Sequence, residues 1–73
     1  MQFYSEKQEF EYKAQRQLYP EASFTQAGEK ILMSWVMKYY RSGLQSAVHC
    51  HRYITKTGKL TRIIREKMYE RSW

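Results

Sequence analysis

Eight of the ten residues from Ile31 to Tyr40 are apolar or aromatic: Ile31, Leu32, Met33, Trp35, Val36, Met37, Tyr39 and Tyr40. Any fold of this chain has to bury much of that run. At 100° per residue these side chains cover about two-thirds of a helix circumference, leaving Lys30, Ser34, Lys38 and Arg41 as a polar ridge. A helix apolar nearly all round is either central in its fold or keeps a second face for a partner. Ser23 and Gln26 stand before the run at the spacing of a capping box, with Thr25 as a competing cap, and Ser42-Gly43 supplies a stop. The pattern therefore predicts a central helix ending at Arg41.

Two further segments flank it. Phe3, Phe10, Ala14 and Leu18 form one narrow stripe at helical spacing, Glu9 and Lys13 form an i, i+4 pair, and Tyr19-Pro20 ends the segment. A stripe this thin gives the first twenty residues little to bury, so they read as a less-ordered amphipathic segment. After Gly43, residues 44–48 suggest a short helical turn. Tyr53-Ile54-Thr55 has strand character, Thr57-Gly58 marks a turn, and Leu60, Ile63, Ile64 and Met68 make the apolar stripe of a last helix. The expected fold is all-α: one small domain over residues 1–73, with three main helices and a short helical turn. Residues 21–73 form its core.

With 73 residues the chain buries only about 60% of its unfolded surface, so every core residue counts. Cys50 is the only cysteine, which excludes an internal disulfide and fits a reducing compartment. Apolar residues at 42% and aromatics at 16% argue against disorder. No apolar run is long enough for a membrane span, and the N-terminus lacks the pattern of a signal peptide. The expectation is a complete small gene product in the cytoplasm.

Charge is sorted by position. Residues 1–30 carry four Lys and Arg against five Glu, and residues 31–73 carry nine against Glu66 and Glu70 alone. A basic half of this kind faces a polyanion or an acidic surface. Lys38, Arg41, Arg52, Lys56, Lys59, Arg62 and Arg65, with Tyr69, are the candidate residues for a nucleic acid or an acidic partner: flexible cations hold phosphates, and aromatics stack on bases or brace arginines. Met33, Trp35, Met37 and Tyr40 are the candidate protein-interface residues, because Trp, Tyr and Met concentrate at interface centres. The plainer readings are a solvated charged face for the first set and core packing for the second.

His49-Cys50-His51 places two histidines on one face of a strand and the thiol on the other, but a structural zinc needs four ligands and the chain has no other Cys or His. No metal and no cofactor is expected. One of the histidines offers a means of making partner binding pH-sensitive. Catalysis has little support: Thr57-Gly58-Lys59 lacks P-loop spacing and there is no aspartate.

These residues describe a binding protein and not an enzyme. In size, basic charge, absence of cysteine pairing and an apolar-rich helix, the chain resembles small phage-encoded regulators that bind host RNA polymerase. That resemblance implies a regulator of transcription docked on the transcription machinery, in the cytoplasm of a bacterial host. It carries over no individual residue. The alternative is direct DNA binding by a repressor or excisionase, either helix-turn-helix or winged, the latter with residues 52–55 and 60–64 as a hairpin around Thr57-Gly58. The helix-turn-helix pattern is poor, since His51 falls at the turn glycine and Thr57 at an apolar position. An RNA-associated role fits the charge as well, and pairing of two copies through residues 31–41 would hide the aromatics just as a different partner would.

Overall fold

The structure, a computed structural model, describes residues 1–72. It contains one helix, α1 (Glu6–Leu18), followed by four strands: β1 (Ser23–Ala27), β2 (Lys30–Arg41), β3 (Leu44–Ile54) and β4 (Ile64–Ser72). The strands form a single antiparallel sheet in the order β1-β2-β3-β4, and α1 packs on one of its faces. The all-α expectation is overturned. Of the three helices and the short helical turn, only the first segment is helical among the described residues.

The run at 31–40 is a strand in which alternate residues face α1, where Ile31 and Met33 are buried, and Ile31, Trp35, Val36, Tyr39 and Tyr40 all suit a pleated backbone. Turn chemistry decides between the two readings. Gly28 (φ 63°) leads the two-residue loop between the paired residues Ala27 and Lys30, as in a type II′ turn. Ser42 (φ 48°) and Gly43 (φ 77°) are both left-handed between Arg41 and Leu44, as a type I′ hairpin requires. The Ser-Gly pair that reads as a helix stop is therefore a hairpin turn, and Ser23 and Gln26 lie in β1 instead of capping a helix. Residues 44–48 open β3 and are not a helical turn.

The last predicted helix is also replaced. Residues 55–63 connect β3 to β4 and begin as a β-hairpin: Ile54 bridges Leu60, the Thr55 N–H donates to the Lys59 carbonyl (2.8 Å), and the Thr61 N–H donates to the Tyr53 carbonyl (3.0 Å). Leu60 then joins the core, while Ile64 and Met68 on β4 stay exposed. Met68 is the extra residue of a bulge, since Ala47 pairs with Tyr69 and Val48 with Lys67.

Ile31, Met33 and Ile54 are fully buried, and Phe3, Tyr12, Tyr19, Phe24, Trp35 and Leu60 close around them. The rings run in contact, Phe3 to Tyr12 (5.1 Å between centroids), Tyr12 to Phe24 (5.3 Å) and Tyr19 to Trp35 (5.0 Å). The predicted stripe of α1 faces the other way: Phe10 is 76% and Leu18 69% exposed, and the buried helix residues are Gln8 and Gln15. Nor is the start of the chain loose. Gln8 Nε2 donates to the Glu29 carbonyl (2.8 Å) and the Thr55 carbonyl (3.2 Å), its Oε1 accepts from the Tyr4 N–H (2.7 Å), and the N-cap Ser5 hydroxyl donates to the Lys56 carbonyl (2.7 Å). The helix N-terminus is tied to two hairpin turns by hydrogen bonds where an apolar stripe was expected.

The described residues measure 47 × 21 × 17 Å, with a radius of gyration of 14.5 Å. A compact chain of this length has about 11 Å. The excess comes from the distal halves of β2 and β3 with β4, which project past α1 as a three-stranded arm.

Candidate nucleic-acid interface on the open face of the sheet

Partners directly opposite in an antiparallel sheet share a face. On the face under α1 lie Ile31, Met33, Trp35, Met37, Tyr39 and Arg41 of β2, facing Ile54, Arg52, Cys50, Val48, Ser46 and Leu44 of β3. Among the described residues, no helix covers the opposite face. It presents Lys30, Leu32, Ser34, Val36, Lys38 and Tyr40 of β2, then Tyr53, His51, His49, Ala47 and Gln45 of β3, then Ile64, Glu66, Tyr69 and Arg71 of β4.

Aromatic rings and cations interleave on this open face. Lys30 Nζ stands 5.5 Å from the Tyr53 ring centroid, and the Arg71 guanidinium carbon 4.6 Å from that of Tyr69. The His49 and His51 rings are in contact, with centroids 4.0 Å apart and planes tilted by 47°, and His51 Nε2 lies 3.5 Å from Glu66 Oε1. Among the described residues of this face, Lys30, Lys38 and Arg71 are opposed by Glu66 alone, so the face is basic. Lys30 and Arg71 each lie over an aromatic ring of the same face. No group of three or more His, Cys, Asp or Glu is arranged to hold a metal among the described residues. As the strand alternation requires, the Cys50 thiol points away from the two histidines and is buried.

The residues singled out in the sequence do not converge. Lys38 and Tyr69 lie on the open face. Arg41 and Arg65 lie on the helix side of the sheet, on or beside the arm. Arg52, also on the helix side, is half-buried and donates from Nε to the Thr61 carbonyl (3.0 Å), which makes it a brace for the β3–β4 hairpin. Lys56 and Lys59 sit in the hairpin turn beside the start of α1, Lys56 paired with Glu29 at 3.2 Å, and Arg62 is exposed in the connection to β4. Among the interface candidates, Met33 is fully buried and belongs to the core. Trp35 is half-buried against Tyr19, and Met37 and Tyr40 are exposed on opposite faces of the arm.

Lys30, Tyr53, the histidine pair and Arg71 complete the open face and are missing from the set chosen by sequence. The alternation over residues 45–53, with Gln45, Ala47, His49, His51 and Tyr53 at every second position, is a signal for the histidines and Tyr53; Lys30 and Arg71 are placed only by the strand register. Searches against protein-family models, curated proteins and solved structures find no match to this chain.

Proposed function

We propose that this protein is a non-enzymatic regulator that binds nucleic acid through the open face of its sheet. The observation that carries the reading is the set of ring-braced cations, Lys30 over Tyr53 and Arg71 over Tyr69, with Lys38 on the same uncovered face. Phosphate contacts supply the affinity, and sheets and β-ribbons are established readers of DNA grooves. A helix-turn-helix has no place in this reading, because there is one helix among the described residues. The test is a binding titration with double- and single-stranded oligonucleotides at several salt concentrations. With three phosphate contacts, affinity falls roughly 40-fold between about 50 and 200 mM salt. An affinity indifferent to salt overturns the reading.

A second reading, docking on an acidic surface of the transcription machinery, is favoured by one different observation: Met37 and Tyr39 are exposed on the helix-side face of the arm, and Tyr40 on its other face. Exposed Met and Tyr of this density suit the centre of a protein interface. Recovery of RNA polymerase subunits from bacterial lysate after nuclease treatment separates this reading from the first.

A further inference from the structure

The β1–β2 ladder stops at Ser23 and Ser34, so residues 35–41 of β2 have β3 on one side and, among the described residues, no strand on the other. This free edge reads Trp-Val-Met-Lys-Tyr-Tyr-Arg, and Val36, Met37, Tyr39 and Tyr40 are all exposed along it. The far edge of the sheet, β4, is protected by Arg65, Glu66, Lys67, Glu70 and Arg71 and by the bulge at Met68. One edge carries the usual guards against strand addition, and the other carries an apolar strand with a single lysine inside it.

We propose that two copies of this chain pair through the free edges of β2, antiparallel about a two-fold axis, forming one sheet that runs through both. An antiparallel edge is complementary to its own rotated copy, and such an isologous contact closes after two subunits. The axis stands normal to the sheet, so residues opposite one another face the same side and their numbers sum to an even value.

Three registers fit the free edge, and sterics and charge select one. Centring on Met37 drives Tyr40 and Arg41 of the second copy into the space beside Ser34 and Met33 that Ser23 and Phe24 already occupy. Centring on Lys38 sets two ammonium groups opposite each other, which is destabilising. Centring on Tyr39 sets Tyr39 opposite its own copy, Lys38 opposite Tyr40, and Met37 opposite Arg41. The Ser42-Gly43 turn of the second copy then comes level with Val36 and Trp35, one step short of Ser23.

A recess exists at that point. An open cleft of about 630 Å³ lies where the chain leaves α1 and enters β1, walled by Leu18, Tyr19, Glu21 and Ser23 on one side and by Trp35 and Lys38 on the other. It accepts the turn of the second copy, and the Glu21 carboxylate on its wall complements the incoming Arg41. This complementarity and the clash-free register argue for a second copy over an unrelated strand. The pairing is independent of what the open face binds, and it would set the open faces of the two copies side by side.

The experiment is light scattering with size-exclusion chromatography on the intact chain, together with cysteine scanning along β2. The expected mass is twice the 9.0 kDa of the chain. Tyr39→Lys, which sets two lysines opposite each other, halves that mass while leaving the far-ultraviolet circular dichroism unchanged. Tyr39→Cys forms a disulfide-linked dimer under mild oxidation, whereas Met37→Cys and the wild-type chain, whose Cys50 is buried, do not. The cross-linking result stands even if Tyr39→Lys fails to fold. A wild-type mass of 9.0 kDa at every attainable concentration overturns the proposal. A dimer that survives Tyr39→Lys and does not cross-link at position 39 also overturns it, placing the interface elsewhere, with the exposed Phe10 and Leu18 stripe the next surface to test.

Discussion

Gly58 and Lys7 meet so closely that a β-carbon on Gly58 would lie 2.6 Å from both the carbonyl carbon and the carbonyl oxygen of Lys7. The contact seats the first turn of α1 against the β3–β4 hairpin, backbone to backbone, in the region where Ser5 and Gln8 make their hydrogen bonds to the turns. Gly58 also has φ 83°, a conformation other residues adopt only with strain. Gly58→Ala is therefore expected to destabilise the fold by about 2–3 kcal/mol, from strain and steric displacement together. Urea denaturation monitored by circular dichroism measures it, and a loss below about 0.5 kcal/mol means that the helix is not seated on this turn.

Gln8 holds the same joint by chemistry. Its amide donates to carbonyls on two separate turns and accepts from the Tyr4 N–H, all with no exposure to solvent. Gln8→Leu keeps the bulk and strands those partners, at an expected cost of about 2–4 kcal/mol. Gln8→Glu is expected to be no better above neutral pH, because a carboxylate cannot donate to the Glu29 and Thr55 carbonyls. Chemical melts of the two variants decide the point, and a wild-type stability in Gln8→Leu would contradict the clamp.

Ser5 acts twice, accepting from the Gln8 N–H (3.0 Å) as N-cap and donating to Lys56. Ser5→Ala is expected to cost about 1–2 kcal/mol, the upper part of the usual N-cap range, because two contacts are lost. Ser5→Asp keeps the cap and loses the donor to Lys56. Its stability in thermal melts should fall between those of Ser5→Ala and the wild type.

The inward face of α1 shows why parts of the fold were hidden in the sequence. The helix and its end at Tyr19-Pro20 were legible, because a periodic stripe and a proline are local signals. Its orientation was not, because Gln8 and Gln15 face the sheet while Phe10 and Leu18 face out, the reverse of what hydropathy predicts. The strand identity of residues 31–41 was obscured because an edge or centre strand apolar on both faces and an all-apolar helix have the same composition. Positive-φ glycine serves a helix end and a hairpin alike, so Ser42-Gly43 did not decide between them. For the site, choosing cations by sequence proximity gathered residues that alternate between faces, and only the register sorts them.

That orientation makes a direct prediction. Phe10→Gln is expected to change stability by about 0.5 kcal/mol or less, whereas Tyr12→Ala, which removes a ring in contact with both Phe3 and Phe24, is expected to cost about 3 kcal/mol or more. If Phe10→Gln unfolds the chain and Tyr12→Ala does not, α1 is rotated from the orientation described.

Arg71 and Arg65 test whether nucleic acid uses one face of the sheet or the whole basic half of the chain. Both are exposed cations on β4, but Arg71 pairs with Gln45 and faces the open side over Tyr69, while Arg65 pairs with Cys50 and faces the helix side. A general electrostatic attraction weighs the two charges alike. A face-specific interface does not: Arg71→Ala is expected to weaken oligonucleotide binding and to reduce the slope of log affinity against log salt by about 0.9, the share of one phosphate contact. Arg65→Ala should leave the slope unchanged within error. Tyr69→Leu, which removes the brace and keeps the charge, should weaken binding with little change in slope, because the cation remains but loses its fixed position. Equal losses for Arg71→Ala and Arg65→Ala would mean that the sheet contributes net charge and no surface of its own.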